Sequence, residues 1–230
     1  MFAPPMRRDS GPPFKRASTV PPPPSGRPES TRPPTRSIVP APSTEPKVKG
    51  VAFRTIDLCF DRLRGSEARD RARTLMPAEL AEAFRYYTLL AASWYPISWY
   101  RETFRAFRAS TGDGPELARE IGRLAARHDM SGVHKQILAK IISPQALLGI
   151  SQRVFNTYYD TGRFEILKSE RGYVQARCSN CVGWDHNMWM ELIGSCESLL
   201  AIAGARNIEM RTVAGALDGY TYASLEARWE

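Results

Sequence analysis

The run CSNCVGWDH, from Cys178 to His186, holds the residue types best suited to chemistry in this chain. Two thiols at Cys-x-x-Cys spacing and a His five residues later offer three ligands to zinc. A structural zinc takes four, at about 2.0–2.3 Å. A zinc knuckle would place its fourth Cys where Glu191 stands, and the next thiol is Cys196. The zinc candidates are therefore Cys178, Cys181, His186 and Cys196, an incomplete set. Parity argues for a plainer reading. Cys178 shares a strand face with Val174 and Ala176, Cys196 falls in the apolar stripe of the next helix, and Asp185 is placed to cap that helix. Cys181 reads as a loop residue with little packing to lose. A catalytic dithiol usually has its first Cys at a helix N-terminus, where the pKa falls; here the first Cys ends a strand. No metal or other cofactor is expected.

A second group is aromatic. SWYPISWYRETFRAF brings together Trp94, Tyr95, Trp99, Tyr100, Phe104 and Phe107. Most large aromatics pack into cores, but Trp and Tyr also line apolar pockets with polar tips. The ligand- or partner-binding candidates are Trp94, Tyr95, Trp99, Tyr100 and Phe104, with Trp184 and Trp189 from the later loop and helix. His128 and His134 flank Gly132 without a recognisable partner set and read as solvated or helix-terminal. There is no Gly-rich phosphate loop, Gly-x-Ser-x-Gly elbow or acidic metal motif. No residue stands out as a nucleophile, so no catalytic residue is assigned and no enzyme is expected.

The elements that must position these residues begin near Val48. VKGVAF (48–53) alternates like a short strand, and IDLCFDRL continues it or begins a helix. MPAELAEAFRYYTLL predicts a helix with Pro77 at N1 and Leu80, Phe84 and Tyr87 on one face. Pro96 starts a new helix that Gly112–Gly114 closes, and Pro115 opens another carrying Leu117, Ile121 and Leu124. Ser143 caps a helix with Pro144 at N1 and Leu147, Val154 and Tyr158 in its stripe, ended by Gly162. A hairpin turning near Glu170–Gly172 follows, then a helix around Trp189–Ala203, then two strands joined across Asp218–Gly219. The fold class is α+β, with a helical N-terminal half packed on an antiparallel sheet from two late hairpins separated by a helix.

Residues 1–47 form a separate unit in composition. Fourteen of the eighteen prolines precede Val48, among Ser, Thr and Arg with few apolar side chains. Such a segment cannot bury enough surface to offset its ordering entropy, so a disordered tail is expected before a single domain at 48–230. Residues 1–50 carry nine Lys/Arg against Asp9, Glu29 and Glu45, whereas the other 180 residues hold 23 basic and 21 acidic groups. Weak polyanion contact, and an alternative role as a nucleic-acid- or nucleoid-associated adaptor, therefore belong to the tail. Ser10, Ser18 and Thr19 follow basic residues as basophilic kinases prefer, although a solubilising spacer explains the same composition. Four Cys make no disulfide framework, which suits a reducing cytoplasm. The longest uncharged stretch, Tyr86 to Tyr100, is 15 residues, short of the roughly 20 a membrane span needs.

The order SWYPISWY, GVHKQIL, YYDTGRFEI, CVGWDHNMWMELIGSCE and DGYTY before Trp229 resembles an expanded myxobacterial family of unannotated cytoplasmic proteins. More distantly, helices followed by two late hairpins are similar to vinyl-reductase-like ligand-sensing domains and the haem nitric-oxide-binding group. The resemblance covers residues 48–230. It implies a sensor or interaction module, and a late-Cys zinc in some distant sensors. The haem group's Tyr-x-Ser-x-Arg signature is read as missing from this sequence, so haem is not carried over. The expected function is a non-enzymatic cytoplasmic signalling or interaction module that binds a small apolar ligand or a protein partner, with a second copy of the chain, as a homodimer, among the expected partners.

Overall fold

A computed structural model describes residues 45–131 and 143–230. The tail as far as residue 44, and His134, lie outside the described residues.

The domain begins with strand β1 (Lys47–Lys49), which pairs antiparallel with β2 (Trp94–Pro96), Val48 opposite Tyr95. The strand expected to continue through Phe53 stops at Lys49, and helix α1 runs Gly50–Arg64. The reason is periodicity: Ala52, Phe53, Ile56, Cys59 and Phe60 lie three and four apart and are all buried, a helical face rather than an alternating one. Gly50 allows the turn into α1, because a Cβ there would overlap the carbonyl of Leu90.

Helix α2 (Ser66–Thr74) has no apolar stripe to announce it and buries only Ala68 and Ala72. It docks on α1 through Arg73–Asp57 (2.9 Å) and Arg69–Asp61 (3.1 Å). Helix α3 (Ala78–Arg85) is shorter than expected. Pro77 is its N-cap rather than N1, and Tyr87 leaves the helix with φ of 54° and 80% exposure. Helix α4 (Ile97–Thr111) follows Pro96 and ends at Gly112 in the left-handed conformation, as a C-terminal glycine allows. Helix α5 spans Glu116–Ser131.

Helix α6 (Pro144–Tyr158) is capped by Ser143, whose Oγ accepts from Ala146 N at 3.2 Å. Its C-cap is Tyr159, so Gly162 serves the entry to β3 (Arg163–Glu170) instead of the helix end. Strand β3 pairs with β4 (Tyr173–Ser179) around Gly172. Helix α7 (His186–Ile202) follows, capped by Asp185 Oδ1 accepting from Met188 N at 3.0 Å. Strands β5 (Glu209–Gly215) and β6 (Ala223–Arg228) complete one four-stranded antiparallel sheet in the order β3-β4-β6-β5. The β4–β6 pairing, Val174 opposite Ala227 and Ala176 opposite Leu225, joins the two hairpins.

Two buried apolar clusters form the interior. The larger lies among the helices of the first half, α7 and the near edge of the sheet. The smaller gathers Leu147, Val174, Leu200, Ala203, Ala205 and Ala227 between α6, α7 and the sheet. Among the described residues, no helix is long and apolar enough to cross a membrane.

Candidate functional site

The two clusters do not close completely on each other. Between them lies a cavity of about 120 Å³. Its first wall is helical: Ala52, Thr55 and Ile56 of α1, Tyr100 of α4, and Ala125, Ala126 and Asp129 of α5. Its second wall is α6, through Leu147, Leu148, Val154 and Phe155. Strands β3, β4 and β6 contribute Ile166, Val174, Ala176 and Leu225, and α7 contributes Glu191, Leu192, Ser195, Cys196 and Leu199. Apolar side chains from both halves of the fold thus face one space, the usual make-up of a small-molecule site.

The polar groups of this lining are few and connected. Asp129 is 5% exposed and accepts from Thr55 Oγ1 and Tyr158 OH, both at 2.8 Å. Glu191 is 7% exposed; its Oε2 accepts from Tyr159 OH at 3.1 Å and its Oε1 from Ser195 Oγ at 3.0 Å. Burial raises the Glu191 carboxyl to about 7, against the lowering effect of these two hydroxyls, and the nearby Asp129 adds to the rise. Burial likewise raises the phenols of Tyr100, Tyr158 and Tyr159 well above their ordinary value, with the carboxylates adding to it. All three phenols stay protonated at neutral pH, so they remain able to donate.

The position of Glu191 follows from the backbone beneath it. Helices α5 and α7 cross closely, with Gly122 against the Glu191 carbonyl and Gly194 against that of Arg119. Ser198 Oγ donates to Arg123 O at 2.8 Å, and Glu197 takes ion pairs from both Arg119 and Arg123. The helix face turned toward the cavity therefore holds Glu191 and Ser195 one turn apart.

Of the seven aromatic candidates, Tyr100 lines this cavity. Phe104 is fully buried beside it, 5.3 Å between ring centroids in an edge-on arrangement. Tyr95 packs on Phe53, and its hydroxyl donates to Thr88 O and accepts from Leu90 N. Trp99 stacks on Tyr95, and Trp94 lies under the Lys49 ammonium, 4.2 Å from its ring centroid. Trp184 and Trp189 are buried against each other, 4.5 Å between centroids, and Trp184 also stacks on Phe155. The candidates thus fall into two groups, one around α4 and one behind the cavity wall.

The thiol candidates are placed separately from His186, whose Nδ1 is 2.9 Å from Ala216 O at the start of α7. Cys178 faces inward as its strand parity required, and Cys196 lines the cavity. Cys181 departs from expectation. It sits in a loop, yet it is fully buried, because Gly162 and Phe155 pack over the turn that carries it. Burial pushes the Cys181 and Cys196 thiols up to about 12, and Cys178 well above its ordinary value. Such thiols stay protonated, whereas nucleophilic attack needs thiolate. Among the described residues, no three His, Cys, Asp or Glu side chains are grouped as a metal would need.

Asp129, Glu191, Ser195 and Tyr159 escaped the reading of the sequence. The signal that was available is an acidic residue inside an apolar helical stripe: MWMELIGS places Glu191 among positions the helix buries. Tyr159, Thr161 and Arg163 also stand at the spacing of the Tyr-x-Ser-x-Arg signature, with Thr in the middle place. They do not converge: Tyr159 is held by Glu191, while Arg163 pairs with Glu165 at the surface.

No protein-family model matches the chain, and no curated protein matches it. Solved structures do. The fold is similar to that of an oxygen-binding H-NOX domain related to soluble guanylate cyclases, at TM-score 0.60 and 14% identity, covering 79% of this chain and 95% of that one. It is similar to the Fe(II) unliganded H-NOX protein from K. algicida at TM-score 0.60 and 11% identity, covering 79% and 96%. A structure concerned with haem redox potential and protein-induced porphyrin distortion matches at 0.57 and 14%, covering 78% and 99%. At these identities the likeness is one of fold.

Proposed function

We propose that the domain is a non-enzymatic, ligand-binding signalling module of H-NOX-like fold, whose cavity takes a small, mainly apolar molecule. The observation that supports this reading is the cavity itself. Its walls come from α1, α4, α5, α6, α7 and the sheet, and its polar groups converge from Asp129, Glu191, Ser195, Tyr158 and Tyr159. An occupant would touch both apolar clusters and so favour one arrangement of helices on sheet, which is what a sensor requires.

Haem is bound by proteins that share the fold, but the described residues here do not fit it. The cavity is close to the roughly 150 Å³ apolar cavities that take up benzene, not a tetrapyrrole. Among the described residues its lining offers no His, and two buried acids stand where a dianionic porphyrin would have to be accepted. The described lining suits a smaller molecule than a porphyrin.

Protein partners would meet the surface rather than this cavity. Trp94 and Trp99, half-buried beside each other's elements, are the aromatic candidates within reach of one.

Native mass spectrometry of the purified full chain tests the ligand reading, with benzyl alcohol as added probe. One small molecule per chain, carried from the cell or taken up from the probe, is expected. A chain that carries nothing and takes up nothing would contradict the reading.

A further inference from the structure

We infer that the cavity selects a small primary amine with an apolar body, its ammonium received by Glu191, Asp129 and the Tyr100 hydroxyl. The inference deepens the ligand-binding reading and rests on it.

Charge comes first. The acidic side chains buried in the lining are Asp129 and Glu191, whereas Glu226 on β6 is paired with Arg211. Among the described residues, the lining has no Lys, Arg or His. Carboxylate and phosphate ligands meet repulsion in such a space, while a cation meets attraction that its low dielectric strengthens.

Hydrogen-bond capacity points the same way. Each oxygen of Asp129 and Glu191 accepts one bond from the protein. A carboxylate has about four lone-pair sites, so each acid retains capacity to accept. Tyr100 is 1% exposed and lines the cavity beside Glu191 and Asp129, whose charges both act on its phenol. What remains open is mainly acceptor capacity, and an ammonium brings three donors and no acceptor. An alcohol brings one donor and a carboxylate none.

Shape limits the rest. A space near the benzene-binding size admits about six to eight non-hydrogen atoms, and the rings of Tyr100, Phe155, Tyr158 and Tyr159 line it. Aromatic faces attract a desolvated cation as well as an apolar body. Glu191 then has a purpose for its costly burial: with its carboxyl held near neutrality's edge, it can ionise when an ammonium arrives.

Calorimetric titration of the full chain with benzylamine, benzyl alcohol and benzoate, three probes of one shape, tests this. Benzylamine is expected to bind about tenfold tighter than benzyl alcohol, the difference a charge-assisted hydrogen bond supplies, and benzoate not to bind. Tyr100→Phe should cut the amine preference several-fold, and Glu191→Gln should abolish it while benzyl alcohol still binds. Should Glu191→Gln fail to fold, the three probes on the unaltered chain decide alone, with Tyr100→Phe as the second variant. Benzyl alcohol or benzoate binding as tightly as benzylamine would overturn the amine inference and leave the ligand cavity standing. No binding by any of the three would contradict both.

Discussion

Gly122 of α5 lies against the backbone carbonyl of Glu191 in α7, closer than any side chain would permit. The contact is matched by Gly194 against Arg119, so the two glycines allow the helices to cross almost backbone to backbone. This crossing fixes where Glu191 enters the cavity. Adding one methyl at Gly122 must push α7 outward, because a carbonyl in a helix cannot yield as a flexible side chain can. Gly122→Ala should therefore cost about 3 kcal/mol, the upper range of overpacking in a core, despite Ala's better helix propensity. Urea unfolding would measure it, and a stabilised variant would show that the helices can separate freely.

The loop before α7 gives a second comparison. Asp185→Ala removes an N-cap and should cost about 1 kcal/mol. Cys181→Ser should cost as much or more, roughly 1–3 kcal/mol, because it places a hydroxyl in a fully buried site under Phe155. Thermal unfolding of both variants checks the order. A neutral Cys181→Ser would mean that the loop opens to water.

Glu191 sets a pH dependence with a definite sign. Its carboxyl titrates near 4.5 in the unfolded chain and near 7 in the fold. Between these values the folded state holds the extra proton, so the group's contribution to stability falls as pH rises through this window. Its full cost, of order 3 kcal/mol, is present above pH 7 and absent below about 4.5. Asp57 and Asp185, also raised by burial, follow the same direction, so the comparison must be with Glu191→Gln. Relative to the unaltered chain, the Gln variant should gain stability between pH 5 and 8. A difference independent of pH would show that Glu191 is ionised throughout.

Much of the fold was legible because strong local signals agreed with tertiary packing. Ser143–Pro144, Asp185 and Gly112 mark helix ends whose caps the structure contains, and the alternation at Val174, Ala176 and Cys178 gave the buried face of β4. Helix α2 was not legible, since SEARDRART is held by ion pairs to Asp57 and Asp61 rather than by an apolar stripe. The cavity was still less so. Its polar groups come from α1, α5, α6 and α7, separated by up to 140 positions, and local pattern carries no record of which faces converge. Gly122 and Gly194 were the overlooked clue: a glycine inside a strongly periodic helix signals close packing.

The central claim is that the space between the two apolar clusters is a ligand site rather than a packing defect. Ala126 lines it from α5 and is almost fully buried, so enlarging this side chain fills the space without disturbing a polar group. Calorimetric titration of Ala126→Leu with benzylamine and benzyl alcohol, beside its unfolding curve, is the most direct test. The account predicts a variant as stable as the unaltered chain to within about 1 kcal/mol that binds neither probe, while the unaltered chain binds at one site. A filled variant that binds both probes as well as the unaltered chain does would contradict it.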